Sequence, residues 1–264
     1  MSKPAMLFLW ILFSVTITNA QAIAHGHAHN DYQHKRPLFE ALESGFTSIE
    51  IDVFLHHNDL IVSHDCTGLN NKPDIEELYL KPIKKVIGQN GGWVYKGYNR
   101  PVIFMIDMKT NGDLAYAKLK EILDKYKELF CVYQKDSIIS YGPLEILISG
   151  SKPYRSLINE NTSYATIDAD ISDIDKATLD AVVTRYSDPW HKYFKWKGNG
   201  EMPEREKAKL DSLVAAAHRK KKDIRFYAIP DKPEVWKLLL NEHVDWINTD
   251  RLKEFNEFMK NYKQ

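Results

Sequence analysis

The sequence predicts an α/β fold in which about eight short strands alternate with helices, as in a closed (β/α)8 barrel or an open doubly wound sheet. Its 264 residues match the usual size of a one-domain barrel. A hydrophobic share of 44% is ordinary for a protein with a sizeable core. Short β-rich runs alternate with longer amphipathic stretches, and this alternation indicates parallel βαβ units.

Residues 1–20 have the features of a secretory signal peptide. Lys3 precedes an apolar run over residues 6–13, and the small residue Ala20 ends the segment. The run is shorter than the ~20 residues that a membrane span requires, and no later stretch is apolar enough to span a bilayer. We therefore predict an exported protein, periplasmic or extracellular, with one domain over residues 21–264 and no integral membrane span after cleavage.

Composition excludes some partners. Lysine and arginine number 36, as do aspartate and glutamate, so a broad nucleic-acid footprint or an electrostatic membrane anchor is not expected. A small anionic substrate remains compatible with this balance. The only two cysteines, Cys66 and Cys131, fit one disulfide or two free thiols, and the sequence does not define the oligomeric state.

The predicted elements alternate along the chain after the leader. An aromatic loop over residues 187–202 either covers a substrate or is a packed surface flap. Strands are predicted at residues 21–27, 46–55, 60–63, 101–109, 144–149, 164–168, 181–185, 224–229 and 244–248, and helices at residues 37–44, 73–86, 113–130, 204–222, 233–240 and 251–262.

Titratable residues collect where the predicted strands end, which is where barrel enzymes place their active sites. They are His27, His29, Glu50, Asp52, His64, Asp107, Lys109 and Asp250. Glu50 and Asp52 are two residues apart on one strand and therefore point to the same face. Because Ile51 and its neighbours also bury the opposite face, the carboxylates need a cation to offset the cost of burial. This favours a metal site.

The combined pattern of these residues resembles the phosphodiesterases with a phosphatidylinositol-phospholipase-C-like barrel. These include the glycerophosphodiester phosphodiesterases and the sphingomyelinase D enzymes. The string from His27 to Tyr32 more closely resembles the branch named after altered inheritance of mitochondria proteins. The resemblance implies a (β/α)8 barrel and a phosphoric diester hydrolase that acts on a glycerophosphodiester or phospholipid-type substrate.

The resemblance also implies site roles. It implies one divalent cation, Mg²⁺ or Ca²⁺, bound by Glu50, Asp52 and Asp107, an oxygen-only ligand set that suits hard cations. His27 and His64 would be the general acid and base. Lys109 would neutralise the charge of the phosphate.

Two positions depart from the glycerophosphodiesterase pattern. Ala28-His29 stands where those enzymes carry Arg-Gly, so one phosphate contact is either missing or supplied by His29, Asn30 or Lys109. Asp107 stands where they carry glutamate, which is closer to the sphingomyelinase D pattern. The resemblance therefore implies the type of reaction but leaves the substrate open.

Two other interpretations are open. The His27-x-His29 pair also begins metal-dependent amidohydrolases and related phosphoesterases, which would need later ligands such as His191, His218 or His243. A non-catalytic exported binding protein on the same barrel is the other. A glycosidase is disfavoured because Glu50 and Asp52 share one strand, whereas glycosidases place carboxylates on both sides of the sugar.

Overall fold

Eleven strands lie within residues 20–262, the part of the chain that the computed structural model describes. They are β1 (Ile23–Ala28), β2 (Phe46–His56), β3 (Asp59–Val62), β4 (Val102–Met108), β5 (Val132–Gln134), β6 (Ser137–Ser140), β7 (Leu144–Gly150), β8 (Ala165–Asp170), β9 (Val183–Pro189), β10 (Asp223–Tyr227) and β11 (Trp246–Thr249).

Eight of these strands close into a parallel barrel, which confirms the predicted (β/α)8 fold. Neighbours follow the order β1-β2-β4-β7-β8-β9-β10-β11, and β11 pairs again with β1. β3 adds to β2 as an antiparallel ninth strand, and β5 with β6 forms a separate hairpin. Because all barrel strands are parallel, their carboxyl ends meet at one mouth.

Helices cover the outside of the barrel. Within the described residues they are α1 (Phe39–Glu43), α2 (Lys81–Gln89), α3 (Gly112–Asp124), α4 (Tyr154–Ile158), α5 (Glu204–Arg219), α6 (Pro233–Asn241) and α7 (Leu252–Asn261). None of them is long and apolar enough to cross a bilayer. The predicted signal peptide falls on residues 1–20, of which residues 1–19 lie outside the described part of the chain.

Strand burial follows from the sequence pattern. Residues 46–53 of β2 are all buried, so this strand has apolar neighbours on one face and the barrel interior on the other. β4 is almost continuously apolar and pairs with β2 on one side and β7 on the other. Such runs are typical of parallel strands that are covered on both faces.

Several elements differ from the sequence prediction. The helix predicted at residues 73–86 is a π-helical turn over Glu76–Leu80 followed by α2, and Pro82 lacks the N–H that a regular helix would use at this junction. The helix predicted at residues 113–130 ends at Asp124. The β5–β6 hairpin and α4 have no counterpart among the predicted elements.

The aromatic loop is packed against the outside of the barrel. The Trp190 and Phe194 rings lie 4.1 Å apart, and Phe194 lies 5.5 Å from the ring of Phe226 on β10. Trp190 is 3% exposed. These rings therefore form a packed flap rather than a cover over a substrate.

The two cysteines are separate free thiols. Cys66 is exposed and Cys131 is buried, and the two form no disulfide. The Cys131 thiol donates to the carbonyl of Gly142 at 3.4 Å, and burial raises the pKa of this thiol to about 11. Cys131 is therefore a packing residue.

We expect Gly45→Ala to lower the free energy of unfolding by about 2–4 kcal/mol. Gly45 ends α1 with a φ of +82°, and an added Cβ would overlap the carbonyl oxygen of Gln21. Gly88→Ala is the matched control, because Gly88 lies within α2 and has open space around its Cα. That change should raise stability by up to about 1 kcal/mol. Urea titration measures both, and equal effects would contradict the strain at Gly45.

Candidate active site

Three carboxylates converge at the carboxyl-terminal mouth of the barrel. Glu50 and Asp52 lie on β2, and Asp52 is paired in register with Asp107 on β4. One oxygen from each residue lies within 4.8 Å of the others. Glu50 is 5% exposed and Asp52 is fully buried. A Cβ at the neighbouring Gly150 would overlap Asp107 Oδ1, so glycine leaves room for this carboxylate.

The carboxylate cluster fits a divalent cation. Asp52 Oδ1 is buried and has no hydrogen-bond partner, which leaves one oxygen available for a ligand. Burial raises the pKa of Asp107 even though Lys109 and its positive charge lower it. Three carboxylates this close together can all stay ionised only when a cation offsets their repulsion. The oxygen-only donor set suits a hard cation.

Lys109 lies within this cluster, next to two of its carboxylates. Its Nζ atom is 2.7 Å from Asp107 Oδ2 and 2.9 Å from Asp52 Oδ2. Burial lowers the pKa of Lys109, but the contacts with Asp107 and Asp52 outweigh burial and raise it overall. The ammonium group therefore stays charged, and its side chain lines the cavity described below.

His64 follows β3 and stands at the edge of the same site. Its Nδ1 atom lies 3.1 Å from Asp52 Oδ2 and 3.0 Å from the hydroxyl of Tyr32. Tyr32 in turn lies 2.6 Å from Asp52 Oδ2. The His64 side chain is 60% exposed. With Nδ1 occupied in this way, Nε2 is the nitrogen available for proton transfer.

His27 lies behind the carboxylates rather than on the cavity wall. It is fully buried on β1, with Nδ1 2.7 Å from Ser48 Oγ and Nε2 2.9 Å from Glu50 Oε2. Burial, followed by the positive charge of Arg225, holds the pKa of His27 well below its ordinary value. A neutral imidazole donates from Nε2 to Glu50 and so orients that side chain. The acid–base role predicted for His27 is untested; because this ring does not line the cavity, the proposed function assigns the role to His29.

His29 and Asn30, predicted to contact the phosphate, do line the cavity. Nδ1 of His29 lies 2.7 Å from Asp250 Oδ1 at the end of β11, and Asn30 Nδ2 lies 3.2 Å from Nε2. Burial lowers the pKa of His29, but the hydrogen bond and charge of Asp250 together with Glu50 raise it overall. The backbone of Asn30 has a φ of +48°, which asparagine tolerates better than most residues.

A cavity of about 390 Å³ lies at the barrel mouth, and one of its walls consists of His29, Asn30, Glu50, His64, Asp107 and Lys109. The opposite wall was not predicted from the sequence, and it consists of Ser149, Gly150, Lys152, Asp168, Asp170, Ser187, Arg225 and Tyr227. A signal for this wall is present in the chain. Charged residues alternate with apolar ones near two strand ends, at residues 166–170 and 223–227, as expected for strands whose polar side chains face a barrel interior.

The histidines that a metal-dependent amidohydrolase would need are not at this site. His191, His218 and His243 are all exposed, and none lines the cavity. His218 Nε2 lies instead 2.9 Å from Asp245 Oδ2. Within residues 20–262, the Glu50, Asp52 and Asp107 group is the one cluster of three or more such side chains with metal-ligand spacing. The amidohydrolase interpretation is therefore disfavoured.

The fold is similar to that of solved glycerophosphodiester phosphodiesterases. A crystal structure of a glycerophosphodiester phosphodiesterase from Parabacteroides distasonis superposes with a TM-score of 0.54 at 15% sequence identity, covering 92% of this chain and 98% of that one. A putative glycerophosphoryl diester phosphodiesterase from Agrobacterium tumefaciens gives a TM-score of 0.50 at 10% identity, covering 91% and 98%. At such identities the likeness concerns the fold.

The chain belongs to the family defined by the AIM6-like phosphodiesterase domain, whose model matches residues 16–170. Similar curated proteins are named altered inheritance of mitochondria protein 6. The one from Eremothecium gossypii is 26% identical over 273 residues, which cover 88% of this chain and 68% of the relative. A homologue from Arthroderma benhamiae is 23% identical over 253 residues, with 85% and 80% covered. The resemblance predicted from the residues is thereby confirmed.

We expect a divalent cation to raise the melting temperature of the wild-type protein and to leave Asp52→Asn unchanged. The buried Asp52 carboxylate has one oxygen without a partner, and a ligand that binds only the folded state stabilises it by mass action. Asp170→Asn is the matched control, because Asp170 lies on the opposite cavity wall and pairs with Lys152 at 2.9 Å. Differential scanning fluorimetry with Mg²⁺, Ca²⁺ and Mn²⁺ measures the shift. An equal shift in both variants would contradict the assigned ligands.

Proposed function

We propose that this protein hydrolyses a phosphodiester with the help of one divalent cation, Mg²⁺ or Ca²⁺, bound by Glu50, Asp52 and Asp107. The observation that carries the proposal is the placement of two imidazoles, His29 and His64, on one cavity with a carboxylate cluster that fits a cation. Such a cation polarises a phosphoryl oxygen and stabilises the charge that develops on it. Membership of a phosphodiesterase family supports the reaction class.

The imidazoles of His29 and His64 have different roles in proton transfer. Asp250 raises the pKa of His29, so this ring is available in its protonated form near neutral pH and suits the general acid. His64, with Nδ1 held by Asp52, presents Nε2 as the general base. His64 takes a proton from the attacking water, the water oxygen bonds to phosphorus, and the P–O bond to the leaving alkoxide breaks. His29 protonates the alkoxide, and exchange of protons with solvent then restores both imidazoles.

The remaining side chains bind and orient. Lys109 offers a positive charge beside two candidate metal ligands, where the phosphate of a substrate would lie. The cavity of about 390 Å³ is open to solvent through the barrel mouth, and charged and polar side chains form most of its wall. These features favour the polar end of a glycerophosphodiester or phospholipid-type substrate, with any acyl chains outside the barrel.

We expect His64→Ala and His29→Ala each to lower kcat by about 10²- to 10⁴-fold, because each removes a proton-transfer group. His27→Ala should lower the affinity for the cation more than kcat, since His27 contacts Glu50 and not the cavity. Turnover of glycerophosphodiesters, lysophospholipids, sphingomyelin and phosphatidylinositol with Mg²⁺, Ca²⁺ or Mn²⁺ measures the effects.

His191→Ala is the control for this set, since His191 is an exposed histidine outside the cavity. Full activity in His64→Ala would refute the assignment of the base. Absence of hydrolysis of every phosphodiester tested, including bis(p-nitrophenyl) phosphate, would favour a binding protein that keeps the barrel.

We expect Asp250→Asn to move the alkaline limb of the kcat/KM profile to lower pH. The general acid works while it is protonated, that is, below its pKa, and Asp250 is the main group that raises the pKa of His29. Without that carboxylate the pKa of His29 falls, and the protonated form is lost at a lower pH. A pH–rate profile from pH 5 to 9 measures the shift. An unchanged alkaline limb would show that another group is the acid.

We also propose that the protein is exported. The support is the charged start, apolar run and small residues over residues 1–20. The mass of the mature protein from a secreting host measures whether cleavage follows Ala20, and an uncleaved, cell-retained chain would contradict export.

A further inference from the structure

Arg225 is a buried guanidinium in the wall of the cavity, close to Glu50 and on a different strand from the residues predicted to bind phosphate. It lies on β10 and its side chain is 3% exposed. NH1 is 2.7 Å from Asn248 Oδ1, and Nε is 3.1 Å from Ser187 Oγ. These two short contacts are to neutral oxygens, and they fix the plane of the guanidinium.

The carboxylate contacts of Arg225 are longer. NH1 is 3.4 Å from Glu50 Oε2, and NH2 is 3.4 Å from Asp168 Oδ2. Charge-assisted N–H···O⁻ bonds are normally about 2.7–2.9 Å long. Asp168 Oδ1 also accepts a 2.6 Å hydrogen bond from Ser187. Arg225 is therefore held in place by its neutral partners, and its two ion pairs, with Glu50 and Asp168, are long.

We infer that Arg225 binds the phosphate group of the substrate. This inference rests on the proposed function and names one of its binding residues. A cation bound at Glu50 would offset the charge of one of the two carboxylates, and Asp168 would then be the one carboxylate still balancing the guanidinium. Planar guanidinium groups bind phosphate oxygens through two parallel N–H donors.

The position of Arg225 fits this role better than the residues at the end of β1. Ala28 is buried and has no side-chain donor, and His29 is the proposed general acid. Arg225 and Lys109 approach the carboxylate cluster from different strands, because NH1 contacts Glu50 while Lys109 contacts Asp52 and Asp107. A phosphate at the cluster would thus lie between two cations.

Binding of inorganic phosphate to the full-length protein loaded with Mn²⁺ tests the inference, measured by isothermal titration calorimetry. Arg225→Gln should weaken phosphate binding by about 10- to 100-fold, the loss expected for a charge-assisted hydrogen bond. Arg225→Lys keeps the charge and should lose less. Mn²⁺ affinity should be unchanged or tighter in Arg225→Gln, because a positive charge next to Glu50 is removed.

Lys152→Gln is the matched control, since it removes one charge from the same cavity at a side chain that is paired with Asp170. A loss of phosphate affinity in Lys152→Gln as large as in Arg225→Gln would mean that only the net charge of the cavity matters, and would overturn the inference. Unchanged phosphate affinity in both Arg225 variants would also overturn it. If neither variant folds, as judged by circular dichroism, Arg225 is a structural counter-ion and the inference is likewise wrong.

The phosphate measurement separates this inference from the proposed function. Binding of phosphate that depends on Arg225, in a protein that hydrolyses no phosphodiester, would support the binding site and refute the hydrolase. Hydrolysis that survives Arg225→Gln with unchanged KM and phosphate affinity would support the hydrolase and refute the role of Arg225.

Discussion

Burial of three carboxylates at one end of a closed barrel is the constraint on which the rest of this site depends. Glu50 and Asp52 share a face of β2, and the parallel register places Asp107 beside Asp52. Three negative charges so close together are unfavourable unless cations surround them. Lys109 approaches from β4 and Arg225 from β10. The ion pairs that these two cations form with the three carboxylates connect the polar side chains at the barrel mouth.

The sequence predicted the carboxylates because their signal is local. Glu50 and Asp52 interrupt an apolar strand at a spacing of two, and Asp107 ends the clearest apolar run of the chain. Each can be interpreted from its neighbours alone. The alternation at residues 223–227 indicates only that Arg225 faces the barrel interior, because its partner Glu50 is 175 positions away in the chain. Only closure of the barrel shows that the two meet, and no spacing rule encodes that contact.

The difference between His27 and His29 has a geometric origin. β1 continues to Ala28, so His27 lies inside the strand and is paired in register with Ser48 and Asn248. Its side chain points into the barrel at the depth of Glu50 and is enclosed there. His29 lies one residue beyond the strand, at the level of the cavity. The sequence predicted the end of β1 at His27, and this two-residue difference in depth decides which ring lines the cavity.

The two walls of the cavity come from different parts of the chain. The wall with the carboxylates, His29, His64 and Lys109 is complete by β4, well inside the matched region of residues 16–170. Of the other wall, Ser149, Gly150, Lys152, Asp168 and Asp170 also lie within that region, whereas Ser187, Arg225 and Tyr227 come from β9 and β10, beyond it. The matched region therefore contains the candidate metal ligands and both imidazoles, but not the whole cavity. Under the proposed function, we expect the choice among phosphodiesters to depend on the residues of β9 and β10 that complete the cavity.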